Sequence, residues 1–253
     1  IGYELSRESG VPAYIVDPIV VDELEPLARL TGLKGIERIS IFHALNQKAV
    51  ARQAAADMGR AYESLNLIIV HLGGGISVGA HHHGRVIDVN NALNGDGPFA
   101  PERAGSLPAV GLVQLCFSGT YSEPEIMKLL AGKGGLVSHL GTNDARVVEG
   151  MINSGDEHAR LVYQAMAYTV AKTVGSMATV LSGDVDAIVL TGGMARSSML
   201  VDEIVRRVQF IAPIKLYPGE DEMRALAEGV LRVLQGSVAA ADYPPAAHTR
   251  GEP

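Results

Sequence analysis

Cysteine occurs once in the 253 residues, at Cys116, so neither an internal disulfide framework nor a cysteine-built zinc site can be assembled. That usage suits a reducing cytoplasm, and a cytoplasmic location is expected. Positive charge is also scarce: 21 Lys and Arg stand against 28 Asp and Glu, giving a net charge of -7 and an isoelectric point near 5.6. The basic footprint of a phosphate-backbone binder is missing, so nucleic acid is not an expected partner, whereas a single small anion is compatible. Long apolar runs are missing too. The longest uncharged stretch, 104–122, is broken by Gly105, Pro108, Gly111 and Gly119 and reads poorly as a membrane span, so no membrane partner is expected. The amino-terminal residues show no basic region followed by an apolar stretch and a cleavage site. There is no initiator Met, and Ile1 to Gly10 reads as the end of a helix already under way, stopped by Gly10. The sequence is therefore expected to lack its beginning. What is present, 47% hydrophobic and 19% charged residues, is the composition of an ordinary globular protein of one or two domains.

The first half reads as strand-rich. Ala13 to Val16 is an expected short buried strand that places Asp17 at its carboxyl end, followed by an acidic helical stretch from Asp22 to Leu30. Leu45 to Leu65 reads as a helix and Asn66 to Leu72 as an apolar strand broken by Gly73, Gly74 and Gly75. Ile76 to Ala80 and Arg85 to Val89 flank His81-His82-His83-Gly84 as a hairpin. From Glu123 helices take over: Glu123 to Ala131, Asn143 to Ile152, and a long buried one from Glu157 to Leu181 capped by Asp156. Asp186 to Leu190 is then a strand, Ser197 to Phe210 a helix and Ile214 to Tyr217 a strand. A last amphipathic helix carries Met223, Leu226, Val230 and Leu234. Residues 237–253, rich in Ala and Pro, read as a disordered tail.

Two glycine clusters stand where a backbone can approach a phosphate. His71-Leu72-Gly73-Gly74-Gly75 lies between two strands, and Thr191-Gly192-Gly193-Met194 ends a strand before a helix, a common ligand position in open α/β sheets. A tight hairpin and a plain strand-to-helix turn account for them equally without any ligand. Neither cluster matches the dinucleotide or Walker fingerprints. Between them runs a turn-rich segment, 90–108, whose one cation is Arg103. A guanidinium there suits a carboxylate or phosphate, or else ties the loop to Glu102 or Asp96. His43 and His71 each end a short apolar run, where a cleft residue and a hydrogen-bonded core histidine are both consistent. The His81 to His83 run reads as a turn ahead of a metal site, since adjacent residues on a hairpin point apart. Glu220, Asp221 and Glu222 open the last helix, where carboxylates suit the helix dipole or a Mg²⁺ beside phosphates.

Asn94 to Gly105 with its Gly-Asp-Gly-Pro-Phe-Ala-Pro-Glu-Arg core, Ser40 to Lys48, and His71 to Gly75 together resemble the acetokinase family, in its butyrate kinase branch. That family falls within the acetate and sugar kinase, heat-shock protein and actin superfamily. The likeness runs from Ile1 to about Leu234. It implies an α/β, actin-like ATPase fold of duplicated RNase H-like domains, the first largely absent here. Residues 1–30 would be a remnant of that first domain and 31–218 the second domain with a helical insertion. Residues 219–236 would be a helix returning toward the first domain. The family's opening strand pair, with its Asn-Pro-Gly-Ser-type phosphate loop and a further arginine, does not appear in this sequence.

The same resemblance implies a reversible transfer of a phosphoryl group between ATP and a short-chain carboxylate, butyrate or 2-methylpropanoate, with acyl phosphate and ADP as products. Arg103 would contact the transferred group and the substrate carboxylate, and His43 and His71 would stabilise the transition state. Asp17 and Glu222 would support Mg²⁺. Gly73, Gly74 and Gly75 would lie along the nucleotide phosphates, Gly192, Gly193 and Met194 would border the adenosine, and Asp144 and Arg146 would sit near adenine and ribose. A homodimer is expected. Two other readings stay open: a nucleotide-binding fragment that does not turn over alone, and a kinase of the same fold acting on acetate or propionate.

Overall fold

The computed structural model describes residues 1–93 and 95–241, so the end of the expected tail and Asn94 lie outside the described residues. The chain divides into two compact units. One joins Ile1–Val16 to the chain from Asp221 onward, and the other is Asp17–Glu220. The first holds helix α1 (Gly2–Ser9), stopped by Gly10 at φ +70°, where a residue without Cβ takes the left-handed conformation freely. Its second helix is named last below, as α10.

Ala13 to Val16, expected as a buried strand, is not one: Ile15 is 74% exposed, and no described strand offers it an edge. In the larger unit, the acidic stretch 22–30 is helical only over α2 (Pro26–Arg29). The Asp22 carboxylate accepts from the Leu24 amide and pairs with Arg29, a local arrangement that competes with a helical turn. Helix α3 (Ala44–Asp57) stops sooner than expected, at Gly59 with φ +66°, and a 3₁₀ turn over Tyr62–Ser64 follows. Strands β1 (Asn66–Leu72), β2 (Ile76–His82) and β3 (Arg85–Val89) come next, an apolar strand and a hairpin as expected, with β2 running two residues further than Ala80. Two helices were not foreseen. Helix α4 (Ala109–Cys116) buries no residue and so has no amphipathic period to read, and α6 (Gly135–Leu140) begins on a glycine. Between them lies α5 (Glu123–Leu130), opened by a Ser122 to Glu125 capping box. Helix α7 (Ala145–Asn153) starts after Asp144, which caps it, rather than at Asn143. The long α8 (Glu157–Val180) is capped by Asp156, then come β4 (Ala187–Gly192), α9 (Ser198–Val208), β5 (Ile214–Pro218) and α10 (Glu222–Leu234).

The five strands form one sheet in the order β3-β2-β1-β4-β5. The first three are antiparallel, and β1, β4 and β5 are parallel. This is the RNase H-like sheet the resemblance implied. Its central strand is buried throughout and alternates between two layers. Ile68, Val70 and Leu72 face a core built with α8 and α9, while Leu67 and Ile69 face a smaller core with α3. Period two then sends His71 to the α3 side. Among the described residues no helix is long and apolar enough to cross a membrane.

Candidate active site

Three neighbouring parallel strands end side by side. Strand β1 runs into Gly73, β4 into Gly193, and β5 into Gly219 and Glu220, with Leu190 paired to Val70 and to Leu216 and Thr191 paired to His71 and to Tyr217. The carboxyl ends of parallel strands are where open α/β sheets hold ligands, because chain reversals there leave backbone groups uncovered. The two glycine clusters are therefore one place. At Gly192 the chain passes so close to β1 that an added Cβ would lie 2.4 Å from the Leu72 carbonyl oxygen, and its φ is +90°. In the first cluster, a Cβ on Gly73 would meet His71 Nε2 and one on Gly75 the Ala92 carbonyl, each at 2.9 Å. Gly74 and Gly193 are exposed, and the Gly193 peptide N–H faces the Glu220 carboxylate.

His43 and His71 stack face to face, with ring centroids 3.7 Å apart and planes 10° from parallel. His71 Nδ1 is 2.8 Å from Asn46 Oδ1, and its Nε2 is 3.1 Å from Glu220 Oε1. The bond from His71 holds the Glu220 carboxyl below its usual range, opposed by burial and aided by the Gly193 backbone N–H. His43 Nδ1 is 2.8 Å from Ser77 Oγ. Burial first, and the adjacent His71 second, push His43 down to about 3. Burial, with Lys48 and Arg52 nearby, does the same to His81. Both bind a proton in the unfolded chain from about pH 6.5 but in the folded chain only near 3, so stability is complete above 6.5 and falls as pH drops through that window. We expect the urea midpoint to fall steadily from pH 7 to pH 4.5, each histidine contributing a slope approaching about 1.4 kcal/mol per pH unit. His81→Gln should flatten that slope. An unchanged slope would mean that His81 keeps its ordinary affinity for protons.

Arg103 lies on the long loop, which is irregular as expected. Its Nη1 reaches the Glu102 carbonyl at 3.2 Å and the Glu102 carboxylate at 3.5 Å, so the tie to Glu102 exists, while Asp96 is taken by Arg38 at 2.8 Å instead. Arg103 Nε is buried and is the one such side-chain polar atom without a partner among the described residues. An orphaned buried N–H costs about 1–3 kcal/mol, and an anionic ligand would relieve it. Glu102, which the sequence reading used only as a structural tie, is a junction. Its amide donates to the Gly74 carbonyl at 3.3 Å, and its carboxylate accepts from Asn143 Nδ2. The glycine turn, the arginine loop and the entry to α7 are thereby joined. Arg103 also borders a cavity of about 280 Å³ with Ile76, Leu107, Leu112 and Leu130.

Other expected residues are placed as follows. Asp144 caps α7 and holds the Arg146 guanidinium by two bonds of 3.0 and 2.7 Å, which lower its carboxyl to about 2. Met194 sits on the 3₁₀ turn Gly193–Arg196, partly buried against the large core. Asp17 follows no strand. It adopts φ +39° and pairs with Arg52 at 3.3 Å. Glu222 is the first residue of α10, in the smaller unit. The described residues contain no group of three or more His, Cys, Asp or Glu arranged for a metal. His81 and His82 belong to β2 rather than to the turn, which is confined to His83 and Gly84, and they bond within the protein, to Tyr62 and Gln47 and to Asn66.

Residues 28–227 match the Acetokinase family over most of the chain. The chain belongs to the acetokinase family. An acetate kinase from Porphyromonas gingivalis superposes with a TM-score of 0.76 at 20% identity, covering 85% of this chain and 62% of that one. A propionate kinase from Francisella tularensis subsp. tularensis gives 0.71 at 23%, covering 83% and 61%. An acetate kinase from Entamoeba histolytica gives 0.75 at 16%, covering 89% and 68%. At these identities the likeness speaks for the fold. This acetokinase-family chain spans about three fifths of the Porphyromonas and Francisella proteins.

Proposed function

We propose that the chain is part of a short-chain carboxylate kinase that moves the γ-phosphoryl group of ATP to butyrate or 2-methylpropanoate, reversibly, giving an acyl phosphate and ADP. The observation that carries this reading is the unpartnered, buried Nε of Arg103, beside a cavity lined by both aliphatic and polar residues and joined through Glu102 to an exposed glycine turn. A carboxylate oxygen is already a nucleophile at neutral pH. It bonds to the γ-phosphorus as the bond from that phosphorus to the β,γ-bridging oxygen breaks, and the electron pair leaves with ADP. No general base is needed, so positioning and charge neutralisation carry the catalysis. Arg103 would hold the substrate carboxylate and the moving group, His43 and His71 would stabilise the transition state, and Gly73 to Gly75 would line the phosphates. Gly192, Gly193, Met194, Asp144 and Arg146 would border the nucleoside.

The donor chemistry suits Mg²⁺, which keeps several waters and takes one or two carboxylates besides phosphate oxygens. Asp17 would supply one such carboxylate. Bound there, the ion would neutralise phosphate charge. The aliphatic part of the cavity lining, Ile76, Leu107, Leu112 and Leu130, would take the acyl chain.

The test is ATP-dependent acyl phosphate formation, trapped with hydroxylamine, over acids from acetate to hexanoate. It uses this chain and a form extended at its amino terminus by a relative's opening domain. Butyrate and 2-methylpropanoate should give the highest kcat/KM. Turnover by the extended form alone would favour the nucleotide-binding fragment reading for this chain, and no trapped product from any acid would overturn the kinase reading.

A further inference from the structure

Behind His43 the α3 side of the sheet carries a row of polar residues with no place in the transfer chemistry above. In β2, Ser77, Gly79 and His81 are opposite His71, Ile69 and Leu67 of β1, so period two puts all three on the face that α3 covers. Gly79 leaves a gap between its two neighbours, and the Gln47 side chain of α3 fills it. A Cβ on Gly79 would lie 2.6 Å from Gln47 Oε1. Gln47 Oε1 is 2.9 Å from His81 Nε2, and its Nε2 is 2.7 Å from Ser77 Oγ. Tyr62 Oη is 2.7 Å from His81 Nδ1. Gln47, Ser77, His81 and Tyr62 are all buried.

The direction of every bond in this row follows from one contact. The Gln47 nitrogen also donates to the Ser77 backbone carbonyl at 3.2 Å, and a carbonyl only accepts, which fixes which end of the amide is which. Gln47 Oε1 therefore accepts, and His81 Nε2 carries the proton. His81 Nδ1 then accepts from the Tyr62 hydroxyl. At the other end, Ser77 Oγ accepts from Gln47, and its own proton has one remaining neighbour, His43 Nδ1. A proton on His43 Nδ1 would leave the Ser77 hydroxyl without an acceptor in a buried position.

We propose that the buried chain Tyr62–His81–Gln47–Ser77 holds His43 as its Nε2–H tautomer, so that His43 meets the phosphoryl group as a hydrogen-bond donor and not as a base. Gln47 and Ser77 are positioning residues, acting through His43, and Gly79 is small to admit Gln47. The role of His43 in transfer rests on the kinase reading. The tautomer does not.

The test is side-chain nitrogen NMR of the full chain with ¹⁵N-labelled histidine and no nucleotide or acid present. His43 is assigned by loss of its signals in His43→Gln. Its Nε2 should resonate as a protonated, pyrrole-like nitrogen and its Nδ1 as a pyridine-like acceptor. Ser77→Ala and Gly79→Ala cut the row at two points without imposing a forbidden backbone angle. Both should give His43 a mixture of tautomers while leaving the melting transition cooperative. If acyl phosphate is formed, kcat should fall about tenfold in each at nearly unchanged KM for ATP, the rate equivalent of one net hydrogen bond. A proton on Nδ1 of His43 in the unaltered chain overturns the proposal, as does a tautomer that stays pure in both variants. Failure to make acyl phosphate touches only the kinase reading.

Discussion

Arg103→Ala should lower kcat about a hundredfold to a thousandfold, the usual loss when one preorganised donor to a developing charge is removed, with little change in ATP affinity. Three observations set that size. Its Nε is buried and unpartnered, so one donor of the guanidinium is held ready for an anion and away from water. The loop presenting it is tied down on both sides, by the Ser106 amide to the Gly97 carbonyl at 3.0 Å and by the Ala104 amide to the Leu130 carbonyl at 3.0 Å, so little reorganisation is available to compensate. Its partner Glu102 is bound elsewhere, to Asn143, and does not depend on the guanidinium for its place. Arg103→Lys should recover only part of the loss, since a point charge lacks the planar fork that grips a carboxylate and a phosphoryl oxygen together. The decisive measurement is kcat for acyl phosphate formation beside the dissociation constant of ATP. A proportional fall in both, with a lower melting temperature, would make Arg103 a loop tie and nothing more.

Gly192→Ala is expected to be severely damaging although it adds a single methyl. At φ +90° an alanine is strained, and its Cβ would lie 2.4 Å from Leu72 O and 2.8 Å from Leu72 N and C. These are backbone atoms of a central strand and have nowhere to go. Strain and clash together should cost roughly 3–5 kcal/mol, about 10 °C in melting temperature for a chain of this size. Separation of β1 from β4 would also move His71 away from Glu220, so nucleotide protection in a thermal-shift assay should vanish even where the variant still folds. A stable Gly192→Ala protein with undiminished nucleotide protection would show that the strand ends tolerate spreading.

The legible parts of the fold were those with a strong period or a hard stop. Strands β1 to β3 declared themselves as an apolar run and a hairpin, helix α8 by its long apolar surface and Asp156, and the glycine clusters ended strands where expected. Helix α4 was not legible because none of its residues is buried, and a helix that buries nothing has no reason to space its apolar residues. Ala13 to Val16 failed in the opposite way, since a composition suited to a strand forms one only beside a free edge. In the site, Arg103, His43 and His71 were visible as residue types at the ends of apolar or turn-rich runs. Glu102 and Gln47 were not, because each matters through partners far away in sequence, Asn143 for one and His81 for the other. A signal for Gln47 did exist. Ser77, Gly79 and His81 share one strand face, and a glycine between two polar residues on a buried face asks for a polar side chain from above.

The three strand ends also bear on how such a chain can change. The groups around the phosphate path are aligned by a ladder in which Leu190 is paired at once to Val70 and to Leu216, so their spacing is set by main-chain pairing rather than by the identity of the core side chains. A slip of one residue in that ladder would turn His71 to the opposite face, away from His43, and the bulk of the cores on both faces opposes it. Alignment and stability are therefore separable properties here. Core residues can drift, be enlarged or be repacked, raising or lowering the melting temperature, while the reacting groups keep their places until the ladder itself gives way.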